Sequence, residues 1–148
     1  MLFSQDRREL RNMFTSAWRK MQNKQAMEPL EQLIAEIVKF HPEYHQYVEN
    51  PERYSDQDWL PEHGDTNPFL HMAMHIGIQE QLGTDRPAGF RRLYQRLVER
   101  HQHPHPAEHA IMDCLGEGLW QAQRNGQPPD EQAYLRCLHG KLGDPPQG

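Results

Sequence analysis

The sequence has few of the residues from which several common enzyme classes and membrane segments are built. It contains two cysteines, three serines and three threonines in 148 residues, with no Gly-x-Ser-x-Gly motif and no phosphate-binding P-loop. Its longest uninterrupted apolar run is a few residues, which is too short to span a bilayer, and residues 1–9 are not typical of a signal peptide. The sequence therefore argues against a serine hydrolase, a P-loop protein and a membrane protein.

Positive charge and cysteine are also scarce. Lysine and arginine number 16 against 21 aspartates and glutamates, which gives a formal net charge of -5. Without a basic run, the electrostatic attraction to nucleic acid is expected to be weak, so no nucleic-acid partner is predicted. Two cysteines are too few for a disulfide scaffold, so Cys114 and Cys137 are predicted to be reduced core residues in a cytoplasmic protein.

β-Branched residues are rare and the apolar residues repeat with a helical period, which predicts an all-α fold. Valine, isoleucine and threonine together number eleven. Apolar stripes predict helices over about residues 10–21, 29–38, 43–48, 68–82, 90–98, 106–124 and 130–139, with Ser4 as a cap and 49–66 as a long loop. Short connections favour antiparallel neighbours. We therefore expect one compact antiparallel helical bundle of five or six helices over residues 1–142, with a flexible tail at 143–148.

Three segments carry a family resemblance. They are Asn67–His75, Thr84–Gly89 and the region from Glu108 to Ala122, which contains Leu119-Trp120-Gln121-Ala122. In these segments the chain resembles a bacterial family known only as a domain of unknown function, and the resemblance extends over nearly the whole chain. It implies a small soluble bacterial protein and brings no activity with it.

Histidine is the residue in excess. The chain has ten histidines, for which chance would give roughly 0.7 pairs at the i, i+4 spacing that places two side chains on one helix face. The sequence has four such pairs: His41/His45, His71/His75, His101/His105 and His105/His109. This excess suggests that some histidines share a function.

The pair His71/His75 is the sharpest of the four. In the third long helix both lie on the apolar stripe, so their imidazoles are predicted to point inward. The fifth long helix carries Glu108 on its own apolar stripe and His109 one step around. Metal sites in helical bundles are built from histidines and carboxylates that point inward from facing helices. The predicted ligands are therefore His71, His75, Glu108 and His109, with His105 and Asp113 as further candidates.

These donors are typical of a divalent transition metal, with zinc or iron favoured. Neutral imidazole binds zinc, iron, copper or nickel, and a carboxylate extends the range to manganese. The sequence has neither an inward Glu-x-x-His nor a His-Glu-x-x-His motif, so the metal and the number of ions stay open. The leading hypothesis is a metal-binding bundle protein with a possible hydrolytic or redox role.

The alternative is a non-catalytic protein-interaction module with buried structural histidines. Its working surface would be the arginine-bearing fourth helix or the loop around Trp59, and its partner another protein or a second copy of the chain. In either case His41 is predicted to cap the segment that Pro42 begins, while His63 and His139 are predicted to lie at the surface.

Overall fold

Helices account for most of residues 7–54 and 67–144, which are the residues that the computed structural model describes. They are α1 (Arg7–Gln22), α2 (Pro29–Lys39), a 3-10 helix (Pro42–Tyr44), α3 (His45–Glu49), α4 (Pro51–Tyr54), α5 (Pro68–Thr84), α6 (Phe90–His101), α7 (Pro104–Asn125) and α8 (Glu131–Lys141). No strand occurs in these two ranges, so the predicted all-α class is confirmed.

The short helices make the count larger than predicted. The prediction of a loop over residues 49–66 is wrong at its start, because α4 lies there. Proline suits the first position of a helix, so Pro42 and Pro51 each begin a new short helix after the preceding one ends. Ser4, Trp59 and His63 lie outside the described residues.

The chain divides into two units, residues 1–76 and 77–148, and the boundary falls inside α5. The predicted organisation as one bundle domain stays a prediction.

The first unit has a core to which α1, α2, α3 and the first half of α5 contribute. Its buried residues are Phe14, Ala17, Trp18, Ile34, Ala35, Ile37, Val38, Val48, Phe69, Met72, Ala73 and Ile76. Phe14 and Phe69 meet edge to face with ring centroids 5.9 Å apart. Arg11 is buried beside them, where Nη1 donates to the carbonyl of Tyr54 at 3.0 Å. This core fixes the register of α5, on which two of the predicted ligands lie.

The second unit buries one face of each of its helices. Leu93 and Leu97 of α6, Ile111 of α7, and Leu138 of α8 are buried, and Phe90 stacks with Tyr134 at a centroid distance of 6.2 Å. The side chain of Asp130 caps α8 by accepting from the backbone N–H groups of Gln132 and Ala133. This is the arrangement expected for an aspartate at an N-cap.

The prediction of two reduced cysteines is wrong. Cys114 of α7 and Cys137 of α8 form a disulfide, with their Cα atoms 5.7 Å apart. Cys114 is 2% exposed and Cys137 is half-buried. The apolar stripes of two consecutive helices bring residues 23 positions apart into contact, and one-dimensional spacing gives no signal for such a pair.

None of the helices in the described part of the chain is long and apolar enough to cross a membrane.

Candidate metal site

The predicted pair His71/His75 lies in the N-terminal half of α5. Asn67 starts this helix, since its Oδ1 accepts from the N–H groups of Phe69 at 3.0 Å and Leu70 at 3.1 Å. In the helix that begins there, His75 is 4% exposed, whereas His71, one turn earlier, is half-buried. Their ring centroids are 5.1 Å apart. The predicted inward position is therefore confirmed fully for His75 and in part for His71.

A third histidine, His41, completes a cluster in the first unit. It is 3% exposed, and its ring centroid lies 4.9 Å from that of His75 and 5.2 Å from that of His71. His41 and His75 each offer a ligand atom, and these two atoms lie within 4.8 Å of each other. His71 does not belong to this group of close ligand atoms.

The backbone of α2 sets the protonation of His41. Its Nδ1 lies 2.7 Å from the carbonyl oxygen of Ile37. Because a carbonyl oxygen can only accept, this contact places the proton of the neutral ring on Nδ1 and leaves the lone pair on Nε2. Histidines that bind metals typically donate their second N–H to such an oxygen. His41 therefore has the tautomer of a ligand that binds through Nε2.

Sequence reasoning missed His41 because it placed this residue at a cap. His41 does occupy the N-cap position of the 3-10 helix, but its side chain makes no capping hydrogen bond. The ring instead lies parallel to that of Tyr44, with centroids 5.5 Å apart and planes 4° apart. The spacing of four residues from the buried Ile37 was the available signal, since it continues the apolar stripe of α2 just past the end of that helix.

His45 has different contacts from His41, although the two residues are spaced i, i+4. Its Nε2 lies 2.9 Å from the carbonyl oxygen of Val38, and its ring contacts Trp18 at a centroid distance of 4.5 Å. The 3-10 helix between the two residues changes the rotation per residue, so a spacing of four does not keep them on one face. His45 is therefore a partly buried histidine of the first unit whose contacts, with Val38 and Trp18, are structural.

Tyr44 borders the cluster as a neutral phenol. Its ring lies edge-on to His71 with centroids 5.7 Å apart. Burial raises the pKa of Tyr44 above its ordinary value, and the charge of Glu43 adds to the shift. Tyr44 is therefore a neutral side chain at neutral pH.

The second unit contains its own histidine pair at the start of α7. The ring centroids of His105 and His109 are 4.2 Å apart, and the two offer ligand atoms within 4.8 Å of each other. His105 is half-buried and His109 is exposed. The neighbouring His103 caps the helix, since its Nδ1 accepts from the backbone N–H of His105 at 3.1 Å. This explains why α7 begins at Pro104 rather than at the predicted Pro106.

The two predicted carboxylates have opposite environments. Glu108 is 8% exposed and its Oε2 accepts from the hydroxyl of Tyr94 at 2.9 Å and from Nε2 of Gln79 at 3.3 Å. Burial and the charge of Glu108 both raise the pKa of Tyr94, so its hydroxyl remains a donor. Asp113 is exposed and accepts from Nζ of Lys141 at 3.1 Å. Of the two carboxylates, only Glu108 is both buried and hydrogen-bonded to neighbouring side chains.

Comparisons with known proteins identify the family but add no activity. No curated protein and no solved structure matches the chain. Residues 6–140 match the model of a family described as "Domain of unknown function (DUF1841)". That match covers most of the chain, so this protein belongs to the DUF1841 family, as the resemblance implied.

Proposed function

We propose that this protein binds a divalent transition metal through His41 and His75 of its first unit. The observation that carries the proposal is the pairing of two buried imidazoles whose ligand atoms lie within 4.8 Å of each other. One of the two has its tautomer set for binding by the carbonyl of Ile37. Two nitrogen donors favour zinc, iron, copper or nickel over calcium and magnesium, which prefer oxygen.

Two histidines are an incomplete set of ligands. Structural zinc sites use four protein ligands, and catalytic sites use three with one open position. His71 is a candidate for the third ligand, because its ring contacts both His41 and His75. The sequence predicts further ligands among Glu108, His109, His105 and Asp113, and their participation stays a proposal.

The number of protein ligands bears on the role of the metal. An open coordination position would support hydrolysis by a metal-activated water, whereas iron or manganese would support redox chemistry. We propose zinc or iron as the metal. The metal found in the purified protein then distinguishes a hydrolytic role from a redox role.

The test compares wild type with His41→Ala, His75→Ala and His45→Ala, all in the untagged full chain. Metal content is measured by elemental analysis, and zinc, iron(II), nickel and manganese affinities by equilibrium dialysis. Wild type should bind metal stoichiometrically, while His41→Ala and His75→Ala should each lose that binding, because a ligand is missing. His45→Ala is the matched control, because it removes a partly buried histidine that contacts Trp18, and it should bind as wild type does.

Thermal unfolding supplies a second readout. A metal that binds only the native state stabilises it by about 2.7 kcal/mol at a hundredfold excess over its Kd. The added metal should raise the Tm of wild type and His45→Ala but leave those of His41→Ala and His75→Ala unchanged. Binding should also weaken from about pH 7.5 to about pH 5.5, because protons compete with the metal for imidazole nitrogen.

Variants of the remaining candidates assign the other ligands. Loss of metal binding in His71→Ala would identify His71 as a ligand. Loss of metal binding in Glu108→Gln, or in the double variant His105→Ala/His109→Ala, would identify those residues as ligands. If wild type contains no metal and none of the four ions changes its Tm, the proposal is wrong. The buried histidines are then structural, and the interaction module becomes the leading function.

A further inference from the structure

The disulfide of the second unit lies in the wall of a cavity. The cavity has a volume of about 200 Å³ between α7 and α8, and both Cys114 and Cys137 line it. Several other lining residues are exposed, among them Gln121, Asn125 and Gln127, so the cavity opens to solvent. Its volume is below the roughly 300 Å³ at which pockets for drug-sized ligands begin, so it suits a smaller molecule.

Non-covalent contacts hold α8 in place independently of this disulfide. Leu138 is fully buried, and the hydroxyl of Tyr134 donates to Oε1 of Gln81 at 2.7 Å. Just beyond the helix, Asp144 accepts two hydrogen bonds from Arg96 at 2.8 and 2.9 Å. Breaking the disulfide therefore leaves the helix attached by contacts at both its middle and its end.

The two cysteines differ in exposure. Cys114 is 2% exposed, whereas Cys137 is half-buried. Exchange of a disulfide depends on which sulfur an incoming thiolate can reach. Attack is therefore expected at Cys137, with Cys114 as the leaving group.

From this geometry we infer that Cys114–Cys137 is a reversible thiol-exchange site for a small thiol that enters the cavity. The thiolate attacks Sγ of Cys137, a mixed disulfide forms, and the Cys114–Cys137 bond breaks to release the Cys114 thiolate, which takes up a proton. A second thiolate attacks the small-molecule sulfur of the mixed disulfide and releases Cys137, which is also protonated. Two small thiols are thereby oxidised to their disulfide while the protein disulfide is reduced by two electrons.

The charge of the cavity selects among thiols. Among the described residues that line it, Glu117 and Asp130 are acidic and none is lysine or arginine. A thiol that carries a positive charge should be attracted to this cavity, and one that carries a negative charge should be repelled. The preferred co-reactant is thus a small cationic thiol, followed by an uncharged one.

The first experiment measures reduction of the folded wild-type protein by cysteamine, 2-mercaptoethanol and mercaptoethanesulfonate. Each rate is divided by the rate of the same thiol with an uncharged small disulfide, which corrects for differences in thiolate fraction and nucleophilicity. Cysteamine should exceed mercaptoethanesulfonate by about fivefold or more at low salt, and the ratio should shrink in high salt. Glu117→Gln should lower this ratio, because it removes one of the two negative charges of the cavity.

The second experiment locates the attack. Peptide mapping after rapid alkylation should find the mixed disulfide on Cys137. In single-cysteine variants, Cys114→Ser should react with cystamine about tenfold faster or more than Cys137→Ser, because the remaining thiol is the accessible one. The difference should vanish after denaturation.

Fully reduced protein should keep the helical circular-dichroism signal of the oxidised form. A wild-type disulfide that resists all three thiols until the protein unfolds would overturn the inference. So would an adduct on Cys114, equal rates for the three thiols, or a purified protein whose two free thiols do not form the disulfide.

Discussion

At the scale of single residues, Asp144 anchors the segment that follows α8. It accepts two hydrogen bonds from Arg96 and lies 2.8 Å from Nδ1 of His139. The guanidinium of Arg96, with a smaller contribution from His139, lowers the pKa of Asp144 from 3.8 to about 2. A carboxyl whose pKa is lower in the folded protein stabilises the fold above its ordinary pKa and ceases to do so as the pH falls towards 2.

This shift predicts how Asp144→Asn changes the pH dependence of stability. Wild type should have the higher Tm at neutral pH, and the difference should disappear between about pH 4 and about pH 2. Thermal unfolding of both proteins across that range is the measurement. Glu36→Gln, at an exposed carboxyl of α2, is the control and should change the Tm at neutral pH much less than Asp144→Asn does. A constant difference between wild type and Asp144→Asn down to the lowest pH would contradict the assignment.

Two phenylalanines of the first unit allow a matched test of burial. Phe14 is fully buried and Phe40 is 71% exposed. Phe14→Ala removes a ring from the core and should lower the free energy of unfolding by about 3–5 kcal/mol, while Phe40→Ala should change it by less than about 0.5 kcal/mol. Urea denaturation measures both. Comparable losses in the two variants would show that the core of this unit is not centred on Phe14.

At the scale of helices, local sequence signals were most reliable at the starts. Proline marks the first residue of α2 and of α5, as predicted. Interior signals were less reliable, because α5 buries residues around much of its circumference, including Met72, Ala73 and Ile78. A helix that is apolar on most sides carries little information about which face meets a site.

The cap of α5 can be tested by removing one side chain. Asn67→Ala deletes the acceptor for the N–H groups of Phe69 and Leu70 and should cost about 1 kcal/mol of stability. Asn12→Ala, at an exposed interior position of α1, is the control and should be neutral or slightly stabilising, because alanine is the better helix former. Chemical denaturation would contradict the cap if the two variants were equally stable.

Asn67→Ala also tests whether the start of α5 contributes to metal binding. The cap lies one turn before His71 and two turns before His75. A frayed first turn should therefore weaken any contribution of His71 to metal binding more than that of His75.

At the scale of the whole molecule, the sequence predicts one domain, whereas the chain divides into two units. One cooperative domain should unfold in a single calorimetric transition whose van't Hoff and calorimetric enthalpies agree. Differential scanning calorimetry of the full chain measures both enthalpies. Two resolved transitions would contradict the single-domain prediction.

Local signals in the sequence were enough to predict the all-α class, the main helices and the residue type of the candidate site. Scarce β-branched residues, apolar stripes of helical period and prolines at helix starts act within one or two turns, so they can be read locally. The excess of histidine pairs likewise pointed to imidazole chemistry, and His75 lies inward as its stripe predicted.

Which residues meet depends on how the helices pack. His41 and His75 are 34 positions apart, and the packing of α2 against the first unit's core brings them together. Cys114 and Cys137 are joined because two helix faces meet. His109 and Asp113, four residues apart in α7, are both exposed. Contacts of this kind depend on how helices pack across long separations in the chain, and the period of a single helix does not specify that packing.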